Sequence, residues 1–197
     1  MTDRRAVTDW TIVVPFRGSS AKSRFGPGDN FDLALAMALD TVEVALTVGR
    51  VIAVTTDAAA FAALGATVVP DPGAGLNPAL SRGLDIAGPE TSRAVLLGDH
   101  PALTPDELAD ALGAAAGHPL AFVADAEGEG SALSTAAPHV PLTPLFGVGS
   151  ARAHRSAGFV ELTGHWPGLR RDVDTPEQLA TLTSLGRHTR AVLAGRA

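Results

Sequence analysis

The sequence predicts an α/β fold with three layers: a mainly parallel, mixed sheet carrying helices on both faces. Three observations carry this reading. Short runs rich in β-branched residues alternate with longer runs of helix formers, as in successive βαβ units. The first strand-like run, "TIVVPF", is a short, mostly apolar stretch rich in β-branched residues, as expected for a strand covered on both faces. With 197 residues, 46% of them hydrophobic and 18% charged, the chain is long and apolar enough to fill the core of a single domain, taken as 1–197.

The elements follow in order. "TIVVPF" (11–16) reads as a buried strand, and "RGSSAKSRFGPGD" (17–29) as a polar, Gly-rich loop. "NFDLALAMALDTVEVALTV" (30–48) is too long for a strand and reads as a helix. "RVIAVTTD" (50–57) is a second strand, "AAAFAAL" a short helix and "ATVVPD" a third strand. "PGAGLNPALSRGLDIA" is a loop running into a helix, and "RAVLLGD" (93–99) is a fourth strand with Asp99 at its tip. Thr104, Pro105 and Glu107 form a helix-start signature, with a capping threonine, proline at the first helical position and an acid three residues after the cap. Thr175, Pro176 and Gln178 repeat it before "LATLTSLG". Between them, "LAFVAD" (120–125), "SALSTA" (131–136) and "GFVEL" (158–162) read as strands. Their less regular spacing places any antiparallel pairing in this later part.

Composition excludes several function classes. There are no cysteines, hence no disulfide, thiolate metal site or cysteine nucleophile. The formal net charge of −6 argues against a nucleic-acid binder. No apolar run approaches the roughly 18 residues of a membrane span, and the first ten residues lack the apolar core of a secretory signal, so a cytoplasmic protein is expected.

In such folds ligands bind at the C-terminal ends of the parallel strands, so the polar residues there are the site candidates. Arg17, Lys22 and Arg24 fall in the loop after the first strand, where fixed cations and backbone amides can surround a polyphosphate. That loop matches neither the Walker A nor the Rossmann glycine pattern. Asp99 can join Asp172 or Asp174, which share one face of an extended segment, to hold Mg²⁺ through hard oxygen ligands. Gly73 and Gly75 permit close backbone approach, and Asn77 can hydrogen-bond a ribose or base. Two further Gly-rich stretches, "EGEGS" (127–131) and "FGVGSARAH" (146–154), each hold a serine. Ser150 precedes a helical run suited to phosphate. His154 has no partner legible in the sequence, and no histidine spacing indicates zinc.

Together "AKSRFG", "DPGAGLNPAL", "GDHPALTPDEL", "FGVGSARAHRSAG" and "VELTGHWPGLRRDVDTPEQL" occur in the order seen in the CofC/FbiD guanylyltransferases of coenzyme F420 biosynthesis, which this chain resembles over residues 11–185. The resemblance implies a GT-A-like nucleotidyltransferase fold. It implies transfer of GMP from GTP to phosphoenolpyruvate, or to 2-phospho-L-lactate, with release of pyrophosphate. It assigns Asp99 and Asp172 to Mg²⁺, and Ser131, Gly147 and Ser150 to the phospho-acid. The chain has His100 where that family usually has leucine, Ser131 where it has threonine, and Arg17 where it commonly has lysine. Apolar helix faces admit a homodimer. The alternatives are transfer to a molybdenum-cofactor or sugar-phosphate acceptor, and a non-catalytic nucleotide-binding module.

Overall fold

The computed structural model describes residues 10–18 and 30–195. Its strands are β1 (Trp10–Phe16), β2 (Arg50–Thr55), β3 (Thr67–Val69), β4 (Ser92–Leu96), β5 (Leu120–Ala124), β6 (Ser131–Ala136) and β7 (Val160–Glu161). They form one sheet in the order β3-β2-β1-β4-β6-β5-β7. β1 pairs in parallel with β2 and β4, and β2 with β3. β6 runs antiparallel to both β4 and β5, while β7 is parallel to β5. The sheet is therefore mainly parallel, with β6 alone reversed among the described strands, in the later part of the chain where the spacing is irregular.

The period-two alternation of side chains distributes the core between two faces. Ile12, Val14, Val51, Ala53, Ala94 and Leu96 join one apolar cluster with α1 (Phe31–Leu46) and α4 (Pro105–Ala115). The intervening Val13, Ile52, Val54 and Val95 join a second, with α3 (Leu76–Ala87) and α5 (Ser150–Ser156). Two-sided burial is why these strands read as continuous apolar runs. α3 lies close to the sheet at Gly83, where an added Cβ would collide with Val13 and sit 2.8 Å from a Val54 methyl. α2 (Ala58–Ala63) buries Phe61 beside Phe16, with ring centroids 5.4 Å apart.

Both expected capping boxes are present. Thr104 and Glu107 start α4, and Thr175 and Gln178 start α7 (Pro176–Ala180). α7 is shorter than "LATLTSLG" suggests. After Ala180 the chain turns so that Leu182 and Leu185 can pack with Leu179 against Leu33, Met37 and Val173. β7 keeps only two residues of "GFVEL". Two helices are missing from the element order read in the sequence: α6 (Pro167–Arg170), which opens on Pro167 without a side-chain cap, and α8 (Arg187–Ala194). The cap of α8 comes from afar: the buried Asp40 of α1 accepts hydrogen bonds from the amides of His188 (2.8 Å) and Thr189 (2.9 Å). Among the described residues, no helix is long and apolar enough to cross a membrane.

The order β3-β2-β1-β4 contains a reversal. From β1 the chain moves outward through β2 to β3, then returns across the sheet by α3 to β4 on the other side of β1. In open α/β sheets the ligand crevice lies at the strand ends beside such a reversal. Since β6 is reversed, its first residue, Ser131, lies beside the end of β4: Leu96 is in register with Leu133, and the Leu97 amide donates to the Ala132 carbonyl.

Candidate active site

Asp99 follows β4 by way of Leu97 and Gly98. A Cβ on Gly98 would stand 3.2 Å from the Pro15 carbonyl and 3.3 Å from the Ala38 Cβ, so glycine lets this loop lie flat between β1 and α1. The His100 amide donates to Thr41 Oγ1 (3.3 Å), and the Val173 amide donates to the Asp99 carbonyl (3.0 Å). The second bond brings the 171–175 segment to the β4 loop. Val173 is fully buried with Leu33 and Met37, so its extended neighbours Asp172 and Asp174 face the other way. Gln178 Oε1 accepts from the amides of Asp174 (2.7 Å) and Thr175 (3.0 Å) and fixes the segment's exit. Arg170 fixes its entry. Its guanidinium donates to the carbonyls of Ala124 (2.8 Å), Leu162 (2.8 Å) and Gly164 (3.3 Å).

As a result, one carboxylate oxygen from each of Asp99, Asp172 and Asp174 lies within 4.8 Å of the other two. The sequence offered Asp172 and Asp174 as alternatives; the fold brings both to Asp99. Three hard oxygen donors on partly buried, backbone-anchored side chains fit Mg²⁺, which takes a few carboxylates and completes its shell with water and phosphate.

These acids line a cavity of about 430 Å³. Its other walls are Asp125, Glu129 and Ser131 around the β5–β6 hairpin, and Phe146, Gly147 and Ser150 at the entry to α5. The hairpin, which contains the "EGEGS" stretch, is held by Asp125. Its carboxylate accepts from the amides of Glu129 (3.0 Å) and Gly130 (2.6 Å). A Cβ on Gly130 would collide with that carboxylate. The hairpin is joined to α5 by the Ala151 amide, which donates to the Glu129 carbonyl (3.0 Å). Five carboxylates and no Lys or Arg line the cavity among the described residues.

Ser131, Gly147, Ser150, Asp99 and Asp172 therefore meet at one cavity. The remaining candidates are placed differently. Lys22 and Arg24 lie outside the described residues. Arg17 pairs with Asp71, Nε to Oδ2 at 3.2 Å, which ties the loop after β1 to the loop after β3. Asp71 also accepts from the Gly73 amide (2.8 Å). Gly73 and Gly75 have positive φ (74° and 112°), so glycine serves a turn at both. Neither of them, nor Asn77, is among the residues lining the cavity, although Leu76 is. The Asn77 carboxamide donates to the Phe146 carbonyl (3.0 Å) and accepts from the Phe146 amide (2.9 Å). Its carbonyl and one N–H thus clamp the 146–150 loop to α3.

His154 acquires the partners that the sequence did not reveal. It is fully buried, with Nδ1 2.9 Å from Ser131 Oγ and 2.9 Å from the Ser150 carbonyl. Burial lowers its pKa below the ordinary histidine value, against the opposing effect of the Ser150 hydrogen bond. The unfolded chain thus binds the proton more readily, so this group's contribution to stability is complete above about pH 6.5 and declines as the pH falls below it. Wild-type protein should lose more melting temperature between about pH 7.5 and about pH 5.5 than His154→Phe. Equal losses in thermal denaturation would show that His154 is not the group responsible.

Comparison with known proteins agrees with this geometry. Residues 33–193 match the family model of the MobA-like NTP transferase domain. The chain is 48% identical to a phosphoenolpyruvate guanylyltransferase from Geodermatophilus obscurus, over 98% of this chain and 97% of that one. It is 45% identical to a phosphoenolpyruvate guanylyltransferase from Thermomonospora curvata, over 99% and 92%. Among solved structures, a putative nucleotide-diphospho-sugar transferase from Desulfovibrio desulfuricans G20 superposes with a TM-score of 0.70 at 15% identity, over 96% of both chains, and so shares the fold. A nucleotidyltransferase architecture, acids gathered at its switch point and near-complete coverage of these relatives agree: the chain belongs to the MobA-like NTP transferase family and, within it, to the phosphoenolpyruvate guanylyltransferases.

Proposed function

We propose that the protein transfers the guanylyl group of GTP to the phosphate of phosphoenolpyruvate, in coenzyme F420 biosynthesis, with Mg²⁺ as cofactor. The observation that carries this reading is the convergence of Asp99, Asp172 and Asp174 on a cavity that Ser131 and Ser150 also line. An oxygen of the acceptor phosphate attacks the α-phosphorus of GTP. The bond from the α-phosphorus to the bridging oxygen breaks, and pyrophosphate leaves with its electron pair. A phosphate monoester is already anionic near neutral pH, so the attack needs no general base.

The obstacle is charge. Two unit charges 4 Å apart repel by about 4 kcal/mol at an effective dielectric near 20, and both substrates carry several in a cavity lined by acids. Bound to Asp99 and Asp172, with Asp174 beside them, Mg²⁺ would supply neutralisation of the phosphates and of the charge that develops during transfer. Arg17, Lys22 and Arg24 neutralise the triphosphate and the departing pyrophosphate from the loop after β1. Ser131, Ser150 and the Gly147 amide orient the phospho-acid. Gly73 and Gly75 shape the nucleoside side, where Asn77 acts through Phe146.

The test is mass spectrometry of products from GTP, CTP or ATP combined with phosphoenolpyruvate, 2-phospho-L-lactate or a sugar phosphate, with and without Mg²⁺. The guanylyl anhydride of phosphoenolpyruvate should form with GTP and Mg²⁺ and dominate the panel. Its absence, or a better product from CTP with a sugar phosphate, overturns the assignment.

A further inference from the structure

His154 lies behind the cavity wall, held by three aromatic rings. Phe122 stacks on its imidazole with centroids 5.3 Å apart, and Phe146 and Phe159 meet it edge-on at 5.3 Å and 4.8 Å. Its Nε2 is buried and has no hydrogen-bond partner among the described residues. Its Nδ1 is 2.9 Å from two oxygens of different character, the Ser150 carbonyl and the Ser131 hydroxyl.

The carbonyl decides where the ring proton sits. A carbonyl oxygen only accepts, so a bare Nδ1 at this distance would set two lone pairs against each other. The same tautomer would also bury an Nε2–H among three rings with nothing to accept it. With the proton on Nδ1, the carbonyl is satisfied, and Nε2 keeps only a lone pair in the apolar cage. The proton on Nδ1 then determines Ser131. Its hydroxyl cannot donate to a nitrogen that already carries hydrogen, so it accepts a share of the Nδ1–H. Its own proton is left for another acceptor. Ser131 lines the cavity, and its hydroxyl has no other hydrogen-bond partner among the described residues.

We infer that His154 is a positioning residue for the acceptor. By donating Nδ1–H to the Ser150 carbonyl and Ser131 Oγ, it turns the Ser131 hydroxyl into a directed donor to an anionic oxygen of the phospho-acid. This rests on the proposed reaction for the ligand's identity, and on the geometry alone for the tautomer. The device also links the two acceptor-side serines, since one imidazole holds the first residue of α5 and the first residue of β6 at a fixed separation.

Two variants separate positioning from packing. His154→Phe keeps an aromatic ring in the cage and removes the donor. His154→Asn gives up the ring but offers an amide N–H near the position of Nδ1. His154→Phe should fold, raise the KM for phosphoenolpyruvate about tenfold (about 1.4 kcal/mol) and leave the KM for GTP unchanged. His154→Asn should recover most of the acceptor KM even where it melts lower. An unchanged acceptor KM in His154→Phe, equal rises in both KM values, or an Asn variant no better than Phe overturns the role. The tautomer is read without substrate, from long-range ¹⁵N–¹H spectra of the wild-type protein near neutral pH. A neutral ring with hydrogen on Nδ1 is expected, and hydrogen on Nε2 sinks the inference whether or not the chain turns over phosphoenolpyruvate.

Discussion

Asp99→Asn is expected to lower guanylyl transfer about 10³-fold or more while the protein stays folded. The substitution keeps the shape of the side chain and removes one of three carboxylates gathered within 4.8 Å. Losing a metal ligand forfeits several kcal/mol of charge stabilisation, and each 1.36 kcal/mol is tenfold in rate. Added Mg²⁺ at about a hundred times its Kd should stabilise the wild type by about 2.7 kcal/mol and the variant by much less. Pyrophosphate release and melting with and without Mg²⁺ check both halves. Near-normal turnover would remove Asp99 from the metal site, and a collapsed melting temperature would make its role structural.

The second large effect belongs to a residue outside the cavity wall. Arg170→Met keeps the apolar stem against Trp166, over which the guanidinium sits at 5.7 Å, and deletes the donors to three backbone carbonyls. A carbonyl left without its partner away from water costs about 1–3 kcal/mol. Water recovers part of that, so a loss of about 3 kcal/mol is expected in urea unfolding. Arg170 also ties the segment carrying Asp172 and Asp174 to the end of β5. The variant should consequently bind Mg²⁺ about tenfold more weakly, within the range that outer-shell changes produce at metal sites. A stability loss below about 1 kcal/mol, or an unchanged Mg²⁺ affinity by calorimetry, would show that the carbonyl of Asp99 and the Thr175–Gln178 cap suffice to hold the segment.

The two predictions differ in how visible their residues are in the sequence. Asp99 stands at the tip of an apolar run, and Asp172 and Asp174 alternate around Val173, so their chemistry can be read from position. Arg170 looks like one of two adjacent surface arginines until the carbonyls of Ala124, Leu162 and Gly164 are seen around it. Asn77 is a further case. Its place in a Gly-rich loop suggests a ligand contact, yet its carboxamide is engaged with the backbone of Phe146. Arg17 likewise pairs with Asp71, whose place after β3 gives no hint that the two loops touch. His154 is the extreme case: nothing within the helical run "ARAHRSA" indicates a serine from another strand.

What the sequence determined by itself is short-range or periodic. Short continuous apolar runs marked the strands as covered on both faces, and helix starts such as Thr104–Glu107 and Thr175–Gln178 needed only residues three apart. Such features are encoded within one turn or a few strand residues, so the local chain suffices. Tertiary structure decided which acids meet, which loop is clamped to which helix, and which side chain caps α8. Those outcomes depend on the direction of each strand and on where the order of the sheet reverses. A reversed β6 puts Ser131 at the same end as Asp99, and a single amide from Val173 to the carbonyl of Asp99 turns two distant acids into neighbours.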